Sequence, residues 1–319
     1  MHKIPVGVLG ASGYAGRELC SIINNHPHFD LAFATANAQR GERALLGGHE
    51  VRFIASDDAP LDRAELVFSA LPHGASGTWV QRVHQHGLRA IDLSSDLRPG
   101  HTNEVVPYGL TEVARESLRG AEVIANPGCY PTAILLSLVP LLTRRLIRPG
   151  SSIVVDAASG VTGAGNSPKP ELMFGEVTEN YRAYGVGNEH RHLPEMRALL
   201  ARHETDADLL FTPHLLPVAR GILATTTVQL TQEFEHPLAI WQDHFGNEPF
   251  VEITEDLPAL RDVVHRNAVR ITVRKAAGMR VPTLIILSAI DNLVKGAAGQ
   301  AVQNANVAYG FAEVAGLPR

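Results

Sequence analysis

A glycine-rich turn near the start of the chain is the feature that most constrains its fold. The apolar run from Ile4 to Leu9 predicts a buried strand, and the turn G-A-S-G-Y-A-G, from Gly10 to Gly16, follows it directly. Glycines there let the chain turn tightly and let a pyrophosphate approach the amides at the start of a helix. Counted from Ala11, the pattern is A-x-G-x-x-G, a variant of the dinucleotide fingerprint. The turn therefore predicts a Rossmann-type domain, although such turns also serve packing.

The first half of the chain alternates strand-like and helix-like segments. After the first strand, further strands are predicted at 31–34, 66–70, 90–93 and 123–125. Several of them are followed by turn residues and then by helix-compatible segments, as in an α/β fold with a doubly wound parallel sheet.

Beyond residue 128 the pattern changes. Strands are predicted at 153–157, 209–212, 222–230, 250–253, 268–273 and 283–290. Fewer helices separate them, which favours an α+β domain with a largely antiparallel sheet and helices on one face. A last helix pattern over 295–312 is predicted to pack back on the first domain. We therefore expect one domain from residues 1–128 with 297–319, and a second from residues 129–296.

The run N-P-G-C-Y-P-T, from Asn126 to Thr132, joins a predicted strand to an apolar, helix-like segment at 133–142. Cys129 is thus predicted to lie where a helix begins, and such a position lowers a thiol pKa below its free value of ~8.5. Gly128 leaves the backbone open to close approach by a ligand. A nucleophilic thiolate is therefore favoured over the alternative, a buried structural cysteine.

The segment after the second strand bears on the choice of dinucleotide. An NAD enzyme usually offers an acidic side chain there, which holds the ribose 2′-hydroxyl. Here the strand end carries no carboxylate, and Thr35, Asn37 and Arg40 follow instead. These side chains suit a 2′-phosphate, so NADP(H) is favoured, with a solvated loop charge as the alternative interpretation of Arg40.

Two more loops follow predicted parallel strands, where a cofactor crevice should lie. They are L-P-H-G, from Leu71 to Gly74, and D-L-S-S-D-L-R, from Asp92 to Arg98. The guanidinium of Arg98 offers donors suited to a carboxylate or a phosphate. The alternative is a surface ion pair with Asp96.

In the second half, polar motifs are predicted to lie in loops. The stretch 156–165 is expected to be a flexible, amide-rich backbone, and 211–215 leads to a loop cation, Arg220. H-R-H-L-P-E, from His190 to Glu195, precedes an apolar helix pattern. Glu195 lies three residues after His192, so on a helical turn it can orient the imidazole. A histidine beside a thiolate supplies one proton carrier and one nucleophile for acyl chemistry, with a surface helix cap as the alternative.

Composition excludes several classes of partner. The net charge of −5 argues against an electrostatic nucleic-acid surface, and two cysteines are too few for a disulfide framework. The N-terminus lacks the apolar core of a signal peptide, and the longest apolar run, 135–142, is too short for a membrane span. The histidines at 190–192 lack further ligands at zinc-like spacing. We expect a cytoplasmic protein with no metal, membrane or nucleic-acid partner.

Eight motifs, in order from residue 6 to residue 306, resemble the N-acetyl-gamma-glutamyl-phosphate reductase family. Besides the glycine turn, L-P-H-G, N-P-G-C-Y-P-T, H-R-H-L-P-E and F-T-P-H-L, they include S-G-V-T-G-A-G, A-R-G and D-N-L-V-K-G-A-A-G-Q-A. The cysteine and histidine motifs together are highly specific, whereas the glycine turn alone is not. Wider relatives are the aspartate-semialdehyde and glyceraldehyde-phosphate dehydrogenases, which share the two-domain plan and the Cys/His pair.

The resemblance implies a role for each matching residue. Cys129 would be the nucleophile and His192 the acid/base, oriented by Glu195. The residues implied to hold NADP(H) are Gly10, Ser12, Gly13, Tyr14 and Ala15 at the pyrophosphate, Thr35, Asn37 and Arg40 at the 2′-phosphate, and Leu71, Pro72, His73, Ser94 and Asn292 beside the rest of the cofactor. The residues implied to face the substrate are Arg98, Asn126, His190 and Arg220. The loop 36–41 departs from the family pattern, since it lacks a serine at the usual 2′-phosphate position.

The implied reaction is the NADPH-dependent reductive dephosphorylation of N-acetyl-gamma-glutamyl phosphate to N-acetylglutamate 5-semialdehyde, a step of arginine biosynthesis. Cys129 would expel phosphate and form a thioester, hydride from NADPH would reduce it, and His192 would manage the proton as the thiohemiacetal collapses. The acyl phosphate is the expected small-molecule partner, and a homodimer or homotetramer is implied. The alternatives are an aspartate-semialdehyde dehydrogenase-type reductase of a shorter acyl phosphate, and a non-catalytic NADPH or redox sensor.

Overall fold

The computed structural model describes residues 3–319 and divides them into two compact units. Unit 1 comprises residues 3–128 together with Gly296–Pro318, and unit 2 comprises Cys129–Lys295 with the terminal residue Arg319. Within residues 3–319, no helix is both long and apolar enough to cross a membrane. The same residues contain no cluster of three or more His, Cys, Asp and Glu side chains arranged to hold a metal ion.

Unit 1 is built around a seven-stranded sheet. Its elements up to residue 128 are β1 (Ile4–Leu9), α1 (Tyr14–Asn24), β2 (Phe29–Thr35), β3 (Arg43–Leu46), β4 (His49–Ile54), β5 (Leu66–Ser69), α2 (Ser76–Gln85), β6 (Arg89–Asp92), α3 (Thr111–Leu118) and β7 (Val123–Ala125). The strand order is β3-β4-β2-β1-β5-β6-β7, in which only the β3–β4 pair is antiparallel. The predicted doubly wound parallel sheet is confirmed.

The strand order reverses at β1, which lies between β2 and β5. Ligands of such sheets bind outside the carboxyl ends of the strands at this switch point, and the glycine turn follows β1 there. Gly10 has a φ of +75°, and a Cβ atom at this position would lie 2.5 Å from the carbonyl oxygen of Ala70. A Cβ on Gly16 would lie 2.3 Å from the carbonyl oxygen of Gly10. Both positions require glycine.

The hairpin of β3 and β4 was absent from the sequence prediction. Leu46 pairs with His49, so the loop consists of Gly47 and Gly48, both with positive φ. A Gly-Gly pair between two short strands favours this tight hairpin turn, so the signal was present. The hairpin follows β2, and β4 pairs parallel with β2.

Unit 2 is built around a second seven-stranded sheet. Its elements are α4 (Cys129–Thr143), β8 (Ser151–Gly160), α5 (Phe174–Val177), β9 (Arg182–Ala183), α6 (Leu193–Arg202), β10 (Ala207–Leu216), β11 (Ile222–Gln229), α7 (Leu238–Phe245), β12 (Val251–Ile253), β13 (Val269–Lys275) and β14 (Thr283–Ile290). The strand order is β12-β13-β14-β11-β8-β10-β9. The β8–β10 and β12–β13 pairs are parallel and the other pairs antiparallel, so the predicted antiparallel-rich sheet is confirmed.

Helix α4 is the core of unit 2, because every residue from Tyr130 to Leu142 is buried. A helix that is apolar on all sides requires cover on all sides, and α4 packs against β11, β14, α6 and α7. The Ser288 hydroxyl donates to the carbonyl oxygen of Ala133, and the Trp241 indole N–H donates to that of Ser137. These directional bonds fix the height of α4, and therefore of Cys129, against the sheet.

Strands β8 and β10 are longer than their apolar patterns predict. Residues 158–160 extend β8 and residues 213–216 extend β10 beyond the strands predicted at 153–157 and 209–212, and the stretch 156–165 was expected to be a flexible, amide-rich backbone. Small and polar residues occur in these strands because the alternate side chains point away from α4. Pro213 is tolerated within β10 because its nitrogen faces the sheet edge. The short strand β9 pairs there with only two residues of β10, so little pairing is lost.

The chain returns to unit 1 through a π-helical turn, Val294–Ala298, and helix α8 (Gly299–Ala308). The helix packs on α1 and α3 and ends at Ala308, four residues before the predicted end. Its buried Asn304 donates to the Gly109 carbonyl and the Asn126 side chain and accepts from Thr111.

Candidate active site

Cys129 is the first residue of α4, as predicted, and its side chain is half-buried. The first amides of a helix have no partner within the helix, and the positive end of the helix dipole lies beside them. Cys20 is buried in α1, and this burial raises the pKa of its thiol to about 12. Of the two cysteines, only Cys129 therefore has the surroundings of a reactive thiolate.

A cavity of about 360 Å³ in unit 2 is lined by Cys129, His190 and His192. The structure thus brings together the predicted nucleophile and both histidines of the H-R-H motif. The same cavity is also lined by Tyr130, Ser159, Lys169, Arg182, Tyr184 and Arg191.

The two histidines of the motif are in direct contact. Their ring centroids lie 4.8 Å apart, and the His192 backbone N–H donates to Nδ1 of His190 over 3.1 Å. Because Nδ1 accepts, the neutral His190 ring carries its proton on Nε2. Burial, reinforced by the charge of Arg191, lowers the pKa of His190 to about 4. His190 is therefore neutral at pH 7.

His192 and Glu195 lie on one helical turn. His192 is the N-cap residue of α6 and is buried, and Glu195 lies in the first turn and is fully buried. An acidic side chain in a first turn is stabilised by the helix dipole. The predicted orientation of the imidazole by this carboxylate fits their placement and stays a prediction.

Two tyrosines form a hydrogen-bonded wall of the cavity. The Tyr184 hydroxyl donates to that of Tyr130 over 3.0 Å, and the Tyr130 hydroxyl donates to the His214 carbonyl over 3.3 Å. Burial raises the pKa of both phenols, that of Tyr184 to about 12. The Tyr130 ring also contacts His190 edge to face at 5.4 Å. The wall is therefore uncharged at neutral pH and shields His190 from water.

Cationic side chains also line the cavity. Lys169, Arg182 and Arg191 are present with two carboxylates, Glu171 and Glu189. Arg182 donates to the Glu171 carbonyl oxygen over 2.8 Å, whereas Lys169 forms no ion pair within residues 3–319. A wall with free positive charge suits an anionic ligand.

Asn292 and Arg220 lie in unit 2 but outside the residues that line the cavity. Asn292 accepts from the Gly221 N–H over 2.7 Å and donates to the Thr162 hydroxyl over 2.9 Å. Arg220 lies 3.5 Å from the fully buried carboxylate of Asp291. Both predicted ligand residues thus also tie together the loops that follow β8, β10 and β14.

The predicted pyrophosphate residues of unit 1 form the turn and the first residues of α1. They are Gly10, Ser12, Gly13, Tyr14 and Ala15. No side chain caps α1 and its first turn contains no acidic residue, so its N-terminal amides are left for an anion. These residues fit the pyrophosphate of a dinucleotide.

The three predicted 2′-phosphate residues differ in exposure. Thr35 is fully buried, and its hydroxyl accepts the Gly10 N–H and contacts the Ser56 hydroxyl. Thr35 therefore supports the glycine turn. Its predicted contact with the 2′-phosphate stays a prediction. Asn37 and Arg40 are exposed, and Arg40 forms no ion pair with any described residue.

The predicted cofactor loops 71–74 and 92–98 are bound to each other. The Ser95 N–H donates to Nδ1 of His73, and Asp96 accepts the N–H groups of Gly74 and Gly77. Although partial burial opposes it, these amide donors lower the pKa of Asp96. The neighbouring Ser94 is held by the buried carboxylate Asp92. These hydrogen bonds therefore join the two loops into one rim. The rim contains Leu71, Pro72, His73 and Ser94.

Arg98 and Asn126 are buried in unit 1, and their predicted contact with a substrate stays a prediction. Arg98 donates to the carbonyl oxygens of Asn126 and Leu93 over 2.8 and 2.7 Å. Asn126 donates to the Ala297 carbonyl oxygen over 3.2 Å. Their polar groups bind main-chain and amide partners, so here they stabilise the N-P-G turn.

Comparisons with known proteins agree with this geometry. The family model "Semialdehyde dehydrogenase, NAD binding domain" matches residues 5–121, and "Semialdehyde dehydrogenase, dimerisation domain" matches residues 129–292. N-acetyl-gamma-glutamyl-phosphate reductase of Desulforudis audaxviator is 40% identical over 342 residues, covering 98% of each chain. The enzyme of that name from Neisseria gonorrhoeae is 38% identical, covering 99% of this chain and 97% of its own. The chain belongs to the N-acetyl-gamma-glutamyl-phosphate reductase family.

Solved structures share the fold at low sequence identity. Aspartate semialdehyde dehydrogenase II of Vibrio cholerae superposes with a TM-score of 0.78 at 19% identity, over 96% of this chain and 98% of that one. Aspartate semialdehyde dehydrogenase with NADP from Candida albicans gives a TM-score of 0.71 at 15% identity, with the same coverage. The chain therefore has the fold of these aspartate semialdehyde dehydrogenases.

Several cavity residues were missed from the sequence. Tyr130 stood inside the cysteine motif, but its role as a wall beside His190 depends on the fold. The segment 169–184, which contains Lys169, Arg182 and Tyr184, has no strong periodicity, and no local pattern marks these residues. Ser159 was part of the quoted S-G-V-T-G-A-G motif without an assigned place.

Proposed function

We propose that this enzyme reduces N-acetyl-gamma-glutamyl phosphate to N-acetylglutamate 5-semialdehyde with NADPH, through a thioester on Cys129. The observation that carries the proposal is one cavity that contains Cys129 at a helix N-terminus together with His190 and His192. The family relationship supports the substrate, and the paired folding units support a division into cofactor-binding unit 1 and catalytic unit 2.

Cys129 begins the reaction. Its thiolate attacks the acyl carbon, the carbon–oxygen bond to phosphate breaks, and phosphate leaves with the electron pair. The thiolate needs no base in this step if the helix N-terminus keeps it ionised. Backbone amides beside Cys129 can stabilise the developing oxyanion, which is typically worth ~3 kcal/mol for each donor.

NADPH, when bound, supplies the hydride that reduces the thioester. His192 donates a proton to the oxygen of the resulting tetrahedral thiohemiacetal and removes it again as the carbon–sulfur bond breaks. Aldehyde leaves and the Cys129 thiolate is regenerated. His190 holds the His192 backbone and, being neutral, adds no positive charge that would suppress protonation of His192.

Unit 1 holds the cofactor in this proposal. The uncapped N-terminus of α1 takes the pyrophosphate, and the exposed Asn37 and Arg40 take the 2′-phosphate. The rim that contains His73 and Ser94 borders the remaining cofactor. Asn292, whose Oδ1 accepts the Gly221 N–H, would lie beside the nicotinamide of the bound cofactor.

The charges of the cavity fit the substrate. An N-acetyl-gamma-glutamyl phosphate carries an α-carboxylate besides the phosphate, and its amine is blocked as a neutral amide. Lys169, Arg182 and Arg191 offer cations to these anions. Lys169 forms no ion pair within the described chain, and we assign it to the α-carboxylate.

We assign a homodimer to the face of the second sheet opposite α4. Val154 pairs in register with Leu210 and with Thr227, and Thr227 pairs with Ile285, so these side chains form one row across four strands. The row faces away from α4, since Ser288 of β14 contacts that helix and the row has the opposite parity. A half-exposed row of this kind suits a second copy of the chain. Cys20 and Cys129 form no disulfide, and this state and the reduced cofactor suit the cytoplasm.

The reverse reaction tests the function most directly. N-acetylglutamate 5-semialdehyde, phosphate and NADP⁺ should generate NADPH, and NAD⁺ should be a poorer oxidant. Aspartate semialdehyde in the same assay separates the shorter-substrate alternative, which would give the faster rate with that aldehyde. A non-catalytic sensor would reduce no cofactor with either aldehyde.

A further inference from the structure

The segment that leads from β9 to His190 and His192 is attached to the edge of β10 that lies opposite β8. Strand β9 pairs with β10 at His214 and Leu215, and the Tyr184 N–H donates to the Pro213 carbonyl. The chain then leaves the edge through two glycines with positive φ, Gly185 and Gly187.

Asn188 brings the segment back to the same edge through its side chain. Its Nδ2 donates to the carbonyl oxygen of Leu209 over 3.0 Å, and its Oδ1 accepts the Phe211 N–H over 2.9 Å. Leu209, Phe211 and Pro213 are alternate residues, so their main-chain groups point to this one edge. The planar amide of Asn188 thus replaces a strand residue in the ladder.

The backbone of Asn188 also meets a specific demand. Its φ is +63°, in the left-handed region that asparagine tolerates better than most residues. A residue at this position must therefore adopt a left-handed backbone conformation. Its side chain must also offer one hydrogen-bond donor and one acceptor in the same plane. Asparagine meets both requirements, and glycine meets only the first.

The Asn188 amide holds the part of β10 that packs against the H-R-H motif. Phe211, held through its N–H, contacts the His190 ring edge to face at 5.4 Å and the Tyr130 ring at 5.1 Å. His190 follows Asn188 by two residues and accepts the His192 N–H. The chain of contacts therefore runs from the Asn188 amide to the backbone of His192.

We infer that Asn188 is a positioning residue for the reaction, a side-chain clip that sets the height of His190 and His192 over the cavity. This inference rests on the proposed acid/base role of His192. Loss of the clip should loosen the segment 185–192, open His190 to water and misplace the His192 imidazole. A displacement of about 1 Å in a catalytic group can cost roughly 10²-fold in rate.

The test compares Asn188→Gly, which keeps the left-handed backbone and removes both bonds, with Asn188→Asp, which keeps the acceptor alone. Glu204→Gly is the matched control, because Glu204 also has a positive φ, +51°, and pairs only with the exposed Arg145. We expect kcat to fall about tenfold or more in Asn188→Gly and less in Asn188→Asp, with the dissociation constant of NADPH within about twofold. Glu204→Gly should keep the wild-type kcat.

A second measurement does not depend on activity. Histidine ring signals in NMR titrations, assigned with His190→Asn, should show the pKa of His190 rising by about one unit in Asn188→Gly, since the ring gains water. An unchanged kcat and an unchanged His190 titration, with only a lower melting temperature, would show that Asn188 is merely structural and would overturn the inference. If the wild-type enzyme reduces no substrate, the proposed function fails, and a His190 titration that shifts in Asn188→Gly alone still supports the clip.

Discussion

Nδ1 of His190 accepts the backbone N–H of His192 over 3.1 Å, so the first histidine of the motif holds the second one in place. The two rings have different environments within one turn of chain. His190 is wedged against Tyr130, Tyr184 and Phe211, whereas His192 begins α6 at the cavity wall. In the proposed reaction His190 is therefore the neutral support and His192 the proton carrier.

This division predicts unequal effects of substitution. His192→Asn should lower kcat by about 10²–10⁴-fold, the usual contribution of a general acid/base. His190→Asn keeps an acceptor near the Nδ1 position and should be milder than His190→Leu, which leaves the His192 N–H unpaired. Steady-state kinetics give the ranking. A larger loss from His190→Asn than from His192→Asn would reverse the two roles.

Cys129→Ser should lower turnover by about 10³-fold or more, since a serine hydroxyl is not ionised at neutral pH. NADPH should still bind, which fluorescence titration of the cofactor measures. Cys20→Ser is the matched control and should keep activity, because Cys20 is buried away in unit 1. Iodoacetamide should modify wild type once, at Cys129. Full activity in Cys129→Ser would remove the thioester from the mechanism.

Arg40→Gln should raise the KM for NADPH about tenfold, equivalent to ~1.4 kcal/mol, because one charge-assisted contact to the 2′-phosphate is lost. The KM for NADH should stay unchanged, since NADH lacks that phosphate. Arg43→Gln on the adjacent hairpin is the control, because Arg43 already pairs with Glu50. Equal changes with both cofactors would show that Arg40 does not read the phosphate.

Lys169→Gln should weaken the reverse reaction with N-acetylglutamate 5-semialdehyde but change little with its α-methyl ester, which lacks the carboxylate. A charge-assisted hydrogen bond of this kind is worth roughly 1.5–3 kcal/mol, or about 10- to 100-fold in kcat/KM. Lys275→Gln, a change in a lysine that pairs with Glu233 elsewhere in unit 2, is the control. An equal loss of kcat/KM with the acid and the ester would show that Lys169 does not recognise the carboxylate.

His26 should make stability depend on pH. It is fully buried, its Nδ1 accepts the His28 and Phe29 N–H groups, and Nε2 donates to the Ala315 carbonyl. Burial lowers the pKa of His26 to about 4, so the unfolded chain binds a proton between pH 6.5 and 4 that the folded chain does not. Stability is therefore retained above pH 6.5 and lost as the pH falls towards 4, by at most about 3 kcal/mol.

The measurement is urea unfolding between pH 7.5 and 4.5, followed by Trp79 fluorescence in unit 1. His26→Phe keeps a ring against Phe29 but cannot titrate, so its free energy of unfolding should fall less over this range than that of wild type. His49→Gln, at an exposed hairpin position, should behave as wild type. Equal pH slopes for wild type and His26→Phe would contradict the assignment.

The parts of the fold that were predicted correctly are those with a local signature. The helix start at Cys129, the turn at Gly10 and the contrast between the two sheets all follow from short motifs or from repeating apolar patterns. The hairpin 43–54 was missed because its strands are short and its Gly47-Gly48 turn was not weighed. The strand ends at 158–160 and 213–216 were not predicted, because a half-open sheet face carries small and polar residues.

The two-domain plan and the family follow from the chain's motifs and apolar patterns alone, and the same motifs predict which residues carry the chemistry. How those residues are supported is visible only in the folded molecule. Asn188 lies 21 residues from its partner Leu209, and Arg98 lies 28 residues from Asn126, so no pattern along the chain reports either contact. Periodicity records which side of a strand or helix is buried, whereas the partner of a polar side chain depends on which distant strand lies beside it.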